Sequence, residues 1–276
     1  MNNKNARILS IPYIVWMLIF TVIPLMLIVY FAFTDRNTGA VTFDNIRFAT
    51  KYLPVLLKSI YLAVFATVIC LVVSYPLAYF MSKMTANYQR VLVMLVMLPM
   101  WMNFLLRTYA WMTILETESG LINTVLKAIG MQPVQLINTQ GAVILGMVYN
   151  YIPFMIIPLY SIMTKIDRRV IEAAYDLGAS PVHVLTKVIF PLSFPGITQG
   201  ITMTFVPAVS TFVISQLLGG AGNTLIGDLI ERQFVSGGEY NPHYGSAISL
   251  LLMVVVLICM GIFNQFDNEE MEDTLV

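Results

Sequence analysis

The chain has 276 residues, of which 58% are hydrophobic and only 11% are charged. A soluble protein of this length needs far more polar surface, so the composition predicts an integral membrane protein. The 15 basic and 15 acidic side chains give a net charge of zero, which argues against a nucleic-acid partner.

Six apolar stretches are long enough to cross a hydrocarbon core of roughly 30 Å as helices of about 20 residues each. They lie at residues 12–33, 59–81, 91–115, 142–163, 195–217 and 244–263. The first is too long for a cleaved signal peptide, so we expect it to remain as an anchor. The sequence therefore predicts an all-α membrane protein with six transmembrane helices surrounded by lipid. Its parts are an N-terminal span and outer loop in residues 1–58, a core in 59–265 and an acidic tail in 266–276.

Basic side chains favour the cytoplasmic side of a membrane protein. More Lys and Arg residues lie inside than outside when the N-terminus is placed in the cytoplasm, and an even number of spans returns the C-terminus to the same side. We therefore expect both termini in the cytoplasm. The tail carries acidic side chains without a basic one, which predicts a solvated, disordered segment.

The third apolar stretch contains Arg107, although an arginine inside a span costs about 2.5 to 3.5 kcal/mol on insertion scales. Such a side chain normally faces the interior of a helix bundle or water. It can either hold a carbonyl or carboxylate of a neighbouring span or line a transport path. The fourth stretch places Asn150 between two tyrosines, where it can line a polar path or hydrogen-bond between helices.

The longest ordered polar interruption predicts two short helices that meet at a tight corner. Asp167 can cap the first helix, and Gly178 can end it because glycine adopts a positive φ without steric cost. Ser180 and Pro181 are typical of the start of a second helix. We expect a rigid corner, which a soluble partner could grip.

The order Glu172-Ala173-Ala174, then Gly178 and Pro191, resembles the "EAA" coupling loop of ABC importer permeases. The resemblance implies a type I ABC importer permease fold in which residues 164–194 contact a cytoplasmic ATPase. The family has Ile and Leu where this chain has Val188 and Phe190. The residues that the resemblance assigns to the ATPase contact are Glu172, Ala173, Ala174, Asp176, Gly178, Ser180, Pro181 and Pro191.

Two further segments resemble the spermidine/putrescine permeases more narrowly. One runs through Trp101, Asn103, Arg107 and Tyr109, and the other covers residues 217–234. The resemblance implies a bacterial cytoplasmic-membrane subunit that pairs with a homologous permease, two copies of an ABC ATPase and an extracytoplasmic polyamine-binding protein. One departure is Gln216, since such permeases often carry aspartate there.

A polyamine cation would be held by carboxylates and by the faces of aromatic rings. Interfacial belts of Trp and Tyr, and plain surface charges, are the other interpretation of the same residues. The candidates for a substrate path are Trp101, Asn103, Tyr109, Trp111, Glu116, Glu118, Asp228 and Glu231.

The sequence contains no Gly-Lys dipeptide, so it lacks a phosphate-binding P-loop. We therefore expect ATP and Mg²⁺ to bind to a partner ATPase and not to this chain. His183 and His243 lack the spacing of a metal site, and no G-x-S-x-G elbow occurs. The sequence predicts a non-catalytic subunit without a cofactor.

Two alternatives remain open at the level of sequence. The first is a permease of the same class of ABC importer with another cargo, namely ferric ion, thiosulfate or a phosphonate. The second is an ion-coupled secondary carrier that works alone. Such carriers tend to place ionisable residues near the midplane on broken helices, where this sequence offers an arginine and no carboxylate.

Overall fold

The computed structural model describes residues 11–235 and 240–273. Its helices in the first half are α1 (Ile11–Ala32), α2 (Asp44–Thr50), α3 (Leu53–Lys83), α4 (Ala86–Trp101), α5 (Phe104–Leu115) and α6 (Leu121–Ala128). The second half contains α7 (Gln140–Met163), α8 (Arg168–Asp176), α9 (Pro181–Leu192), α10 (Phe194–Val209), a π segment (Ser215–Gly219), α11 (Ile226–Phe234) and α12 (Pro242–Asp273). The β-structure in these ranges is limited to one isolated bridge between Thr34 and Val41, so the all-α prediction is confirmed.

Four helices in the described part of the chain are long and apolar enough to cross a membrane. They are α1, α3, α7 and α12 as far as Phe263, and they coincide with four of the six predicted stretches. A fifth results if the bent pair α4 and α5 counts as one span. The count of six transmembrane helices stays a prediction.

The third apolar stretch is not the single straight helix that we expected, because α4 and α5 meet at an angle of 87°. Pro99 lacks the N–H that would bond the carbonyl one turn earlier. Met102 then adopts an extended conformation, and the Asn103 side chain accepts a hydrogen bond of 2.8 Å from the Leu105 N–H. Asn103 thereby begins a new helix in a new direction.

The fifth apolar stretch is also interrupted, although we expected one helix over residues 195–217. Helix α10 ends at Val209, and the chain is not helical at residues 211 and 212. Gly227 packs into this break, since a Cβ there would lie 2.6 Å from the Ser210 carbonyl oxygen. The break is thus built around a close approach of α11 that only glycine permits.

The predicted acidic tail begins inside α12, which continues as a helix through Asp273. The solvation and disorder predicted for the tail stay a prediction. The last three residues of the tail lie outside the described ranges.

Packing divides the chain into two units. The first contains the residues up to Leu56 together with Leu229–Val255. Its polar centre is Asn45, whose Nδ2 donates to the Thr34 carbonyl oxygen at 2.8 Å, and His243, whose Nδ1 lies 2.7 Å from the same oxygen. Asn45 Nδ2 also donates to the Ala32 carbonyl oxygen at 3.3 Å, and thereby satisfies a carbonyl at the end of α1 that a helix terminus otherwise leaves unpaired.

The second unit contains Leu57–Asp228 and the residues from Val256 onward. Its main packing is between α7 and α10, which approach closely because small residues lie between them. A Cβ at Gly200 would lie 2.7 Å from the Met155 sulfur, and one at Gly196 would lie 3.1 Å from the Ile162 side chain. Close packing at small residues is the usual basis of helix association in membranes.

Candidate functional site

The helical corner, residues 167–191, has the local geometry that the sequence predicts. The Asp167 carboxylate accepts a hydrogen bond of 3.0 Å from the N–H two residues later, and the Ser180 hydroxyl accepts one of 3.3 Å from the N–H three residues later. Gly178 has φ +83°. Both caps and the glycine turn are therefore confirmed, and Pro181 occupies the first position of α9 as predicted.

The corner exposes apolar side chains that its own helices do not cover. Leu177 is 89% exposed and Val182 is 70% exposed. A groove of about 590 Å³ is lined by Ala174, Leu177, Gly178, Ala179, Ser180, His183, Lys187 and Val188. Exposed apolar surface with a polar rim is typical of a protein contact site.

The acidic residues that the resemblance assigns to the ATPase contact lie on this same corner. Glu172 and Asp176 are exposed on α8, as is Ala173, while Ala174 is half-buried and lines the groove. Pro191 is exposed on α9. Of the residues assigned by the resemblance, the structure brings Ala174, Gly178 and Ser180 together at the groove, and contact of the whole set with an ATPase stays a prediction.

The aromatic residues predicted for the path differ in their exposure and in what they contact. Trp101 is 70% exposed at the end of α4, and Tyr109 is 46% exposed on α5. Trp111 packs edge-on against Tyr149, with ring centroids 5.3 Å apart. These aromatic side chains offer faces to lipid, to a second subunit or to cargo.

The carboxylates predicted for the path differ strongly in exposure. Glu116 and Glu118 are exposed, and Glu116 accepts a hydrogen bond of 2.8 Å from the Ser119 hydroxyl. Glu231 is half-buried on α11, within the first unit. Asp228 is only 1% exposed, so its carboxylate does not face solvent in this conformation.

Asp228 instead caps the start of α11. Its Oδ2 accepts the Leu225 N–H at 2.6 Å, and its Oδ1 accepts the Ser215 hydroxyl at 3.0 Å. The next backbone N–H, that of Ile226, donates to the Ser59 hydroxyl at 2.9 Å. The negative charge of a carboxylate in the first turn is also stabilised by the positive end of the helix dipole.

Arg107 is buried on α5, with 7% exposure. Its Nε and Nη1 have no hydrogen-bond partner in the part of the chain that the structure describes. The guanidinium carbon lies 5.9 Å from the centre of the Phe104 ring, and Tyr151 is close enough to interact with its charge. The structure therefore shows no anchoring bond for these two nitrogens.

Asn150 is also buried, with 2% exposure on α7. Its Nδ2 donates to the Gly146 carbonyl oxygen at 2.8 Å, within the same helix, and its Oδ1 has no partner in the described residues. The predicted hydrogen bond to another helix is therefore not made by the amide nitrogen.

Several buried polar side chains lie on segments that are far apart in sequence, namely Arg107, Tyr151, Thr211, Ser215 and Asp228. The Ser215 hydroxyl donates to the Asp228 carboxylate across thirteen positions. Sequence analysis did not propose Tyr151, Thr211 or Ser215 as site residues. Their residue types are ordinary in apolar helices, and only the break after α10 gives them this setting.

Comparison with known proteins defines the class. Residues 6–268 match the family of binding-protein-dependent transport system inner membrane components, and the chain belongs to this family. It is therefore an integral inner-membrane transport component, and the family that the coupling loop resembles is confirmed.

The most similar curated relatives define the branch of the family. The chain is 36% identical to the spermidine/putrescine transport system permease protein PotB of Haemophilus influenzae, with 98% of each chain covered. It is 35% identical to PotB of Escherichia coli, over 90% of this chain and 92% of that one. The predicted resemblance to spermidine/putrescine permeases is thereby confirmed.

Solved structures support the fold. A chain of a bacterial ABC transporter involved in the import of the acidic polysaccharide alginate superposes with a TM-score of 0.81. The match covers 97% of this chain and 96% of that one at 18% identity. The predicted ABC importer permease fold is therefore confirmed, while this degree of identity carries no information on cargo.

Proposed function

We propose that the chain is one permease subunit of an ATP-driven importer for polyamines such as spermidine and putrescine. The observation that carries this proposal is the identity of 34–36% to the PotB permeases over nearly the whole length of the chain. The type I permease fold supports the same function. The subunit lies in a bacterial cytoplasmic membrane with both termini inside.

The assembly contains a homologous second permease, two copies of a cytoplasmic ABC ATPase and an extracytoplasmic polyamine-binding protein. ATP and Mg²⁺ bind to the ATPase and supply the free energy for import. This chain couples that free energy to movement of its helices. The bacterial alginate ABC transporter, which has the same fold, has been solved in complex with a periplasmic protein that holds an alginate pentasaccharide. That complex supports an extracytoplasmic partner of the same kind here.

The helical corner is the ATPase contact in this proposal. Its two capped helices and the turn at Gly178 hold the exposed Leu177 and Val182 in fixed positions. A partner that covers these apolar side chains gains burial free energy of about 25 cal/mol for each Å² removed from water. The charged residues Glu172 and Asp176 beside them fix the orientation of the contact.

Cargo recognition involves the exposed aromatic side chains near the bend between α4 and α5. Trp101 and Tyr109 can stack on the ammonium groups of a polyamine, and Glu116 and Glu118 offer negative charge on the outer side. Asp228 caps α11 and is buried, so its carboxylate is not available to cargo in this conformation. The chain shares the cargo path with its second permease.

The proposal is tested by uptake of labelled spermidine in cells that lack this gene, with and without the wild-type chain. We expect restored uptake that vanadate inhibits. If the chain binds an ATPase but does not restore spermidine uptake, the polyamine assignment is rejected and the assignment as an ABC importer subunit is retained. Ferric ion, thiosulfate and a phosphonate are then the cargoes to test next. Uptake by the chain without any ATPase would instead indicate a secondary carrier.

The contact at the corner is tested by Gly178→Val. Valine at φ +83° is strained by roughly 1 to 2 kcal/mol, although no atom lies within 4 Å of the position of its Cβ. Gly130→Val is a matched control, since Gly130 has φ +82° with equally open space at the end of α6. We expect both variants to insert, and only Gly178→Val to lose uptake while the ATPase stays active. Equal uptake by the two variants would refute the assignment.

A further inference from the structure

In residues 11–235 and 240–263, two charged side chains are buried, Arg107 and Asp228. Their charges are opposite. Both lie in the second unit of the chain. The other Lys, Arg, Asp and Glu side chains in these ranges are exposed or half-buried. A buried charge is strongly destabilising unless an opposite charge or hydrogen bonds compensate it.

Compensation differs between the two charges. Asp228 accepts hydrogen bonds from the Ser215 hydroxyl and the Leu225 N–H, which favour the ionised carboxylate. Arg107 has buried Nε and Nη1 atoms without a partner in the described ranges. Its guanidinium presents a fork of N–H donors that matches the two oxygens of a carboxylate.

The elements that carry the two charges contact the same segment of the fold. Helix α5, which carries Arg107, packs against the π segment Ser215–Gly219. Asp228, on α11, bonds the first residue of that segment. The two opposite charges therefore lie on elements that meet at one short stretch of chain.

That stretch is suited to rearrangement. It begins with a non-helical break at residues 211 and 212 and continues into a π-helix. It ends at Gly220, which has φ +63°. π-Helical turns are rare, less regular than α-helix and frequent at functional sites. A small rotation of the segment changes which groups the Ser215 hydroxyl and the Asp228 carboxylate can reach.

We propose that Arg107 and Asp228 form a direct ion pair in the other main conformation of the transport cycle. The pair forms when the π segment rotates, so that Asp228 exchanges the Ser215 hydroxyl for the Arg107 guanidinium. This step rests on the proposed function, because it assumes a cycle with two conformations that ATP interconverts. In this proposal the ion pair of Arg107 with Asp228 stabilises one conformation, a role that we call a latch, and Arg107 is not a cargo ligand.

The direct test is cross-linking in the assembled transporter, in a background with Cys70→Ala and Cys259→Ala. An ion pair between arginine and aspartate holds their Cα atoms farther apart than the about 4.4 to 6.8 Å that a disulfide requires. The two introduced cysteines are therefore joined with a bifunctional maleimide whose reach matches the extended arginine and aspartate side chains. We expect the pair Arg107→Cys and Asp228→Cys to cross-link more strongly after trapping with ATP and vanadate than at rest. The pair Thr108→Cys and Asp228→Cys is the matched control, since Thr108 is the next residue on α5 and is equally buried. Absence of cross-linking in both states, or cross-linking equal to the control, would overturn the proposal.

A second test keeps the residues close to their native size. It compares Arg107→Gln, Asp228→Asn and the double variant in vanadate-sensitive uptake. If the two side chains pair, the double variant should lose less than the product of the two single losses, by at least about threefold. Multiplicative losses would mean that the two residues act independently.

The cross-linking result does not depend on which cargo is imported. If the wild-type chain fails to import spermidine but the trapped transporter still shows the cross-link, the polyamine assignment fails and the latch remains. If spermidine is imported but the cross-link is independent of ATP, the latch fails and the polyamine assignment remains.

Discussion

Asp35 shows how one half-buried side chain shapes the turn that follows α1. Its Oδ1 accepts hydrogen bonds of 2.9 Å from the N–H groups of Asn37 and Thr38, and one of 3.0 Å from the Thr38 hydroxyl. The N–H of Thr38 contributes most to holding the pKa of the Asp35 carboxyl below its ordinary value of 3.8, followed by that of Asn37. The donors favour the ionised form, so the turn is tighter when Asp35 is charged.

The stability of this turn should therefore depend on pH. A carboxyl whose pKa is lower in the folded state stabilises the fold above its ordinary pKa, and this stabilisation is lost as the pH falls through the lower, folded-state value. We expect hydrogen exchange at the Asn37 and Thr38 amides to lose protection as the pH falls below the ordinary carboxyl pKa of 3.8, beyond the intrinsic change in rate. Asp35→Asn should remove this dependence, whereas Asp44→Asn, a few residues later, should keep it. A pH dependence that survives in Asp35→Asn would contradict this account.

At the scale of elements, the bend between α4 and α5 depends on a cap. The Asn103 oxygen accepts from the Leu105 N–H at 2.8 Å and from the Leu106 N–H at 3.4 Å. Those two donors would otherwise be unpaired at the start of a helix within an apolar region. The side chain thus holds α5 in its direction, and with it Arg107 one turn further on.

Loss of this cap should destabilise the protein without abolishing its insertion. We expect Asn103→Ala to lower the free energy of unfolding by about 1 kcal/mol, the usual cost of a lost N-cap, and Asn103→Asp to retain most of it. Thermal unfolding in detergent measures both. Thr139→Ala is the control, since Thr139 caps α7 by accepting the Ala142 N–H at 3.1 Å. It should lower stability similarly but leave uptake less affected. If Asn103→Ala and Thr139→Ala reduce uptake equally, the bend between α4 and α5 has no specific role in transport.

The elements differ in how far they can be predicted from sequence. The corner at Asp167, Gly178 and Ser180 was predictable because each cap bonds a backbone group two or three residues away. The direction of α5 was not, although Pro99 and Asn103 are ordinary signals of a break. A run of apolar residues on both sides is typical of one span, and only packing decides whether it bends.

The burial of Asp228 was even less accessible from sequence. It depends on Ser215, thirteen positions earlier, and on the Ser59 hydroxyl, which accepts a hydrogen bond from the first residue of α11. Charge and chain position alone predict an exposed loop carboxylate. The family, by contrast, was predictable from a few residues, because the coupling loop keeps residue types at fixed spacing.

At the scale of the molecule, a continuous structure joins the helical corner to the apolar core. Helix α9 leads through Ser193 into α10, which packs along α7. Ser193 is fully buried, and its hydroxyl shares a hydrogen bond of 3.1 Å with the Tyr75 hydroxyl of α3. The Tyr75 ring also lies 5.7 Å from that of Phe190. Displacement of the corner by an ATPase would therefore move α10 and α3 together.

Tyr75→Phe should loosen this connection while it keeps the ring contact with Phe190. Loss of the hydrogen bond costs about 1 kcal/mol, which corresponds to roughly a fivefold change in an equilibrium between conformations. We expect the number of polyamine molecules imported per ATP hydrolysed to fall by up to that factor, while ATP hydrolysis continues. Tyr79→Phe, one turn along α3, is the matched control and should leave the ratio unchanged. If Tyr75→Phe instead reduces uptake and ATP hydrolysis in equal proportion, the bond supports stability alone, and the motion of α9 reaches the core through α10 only.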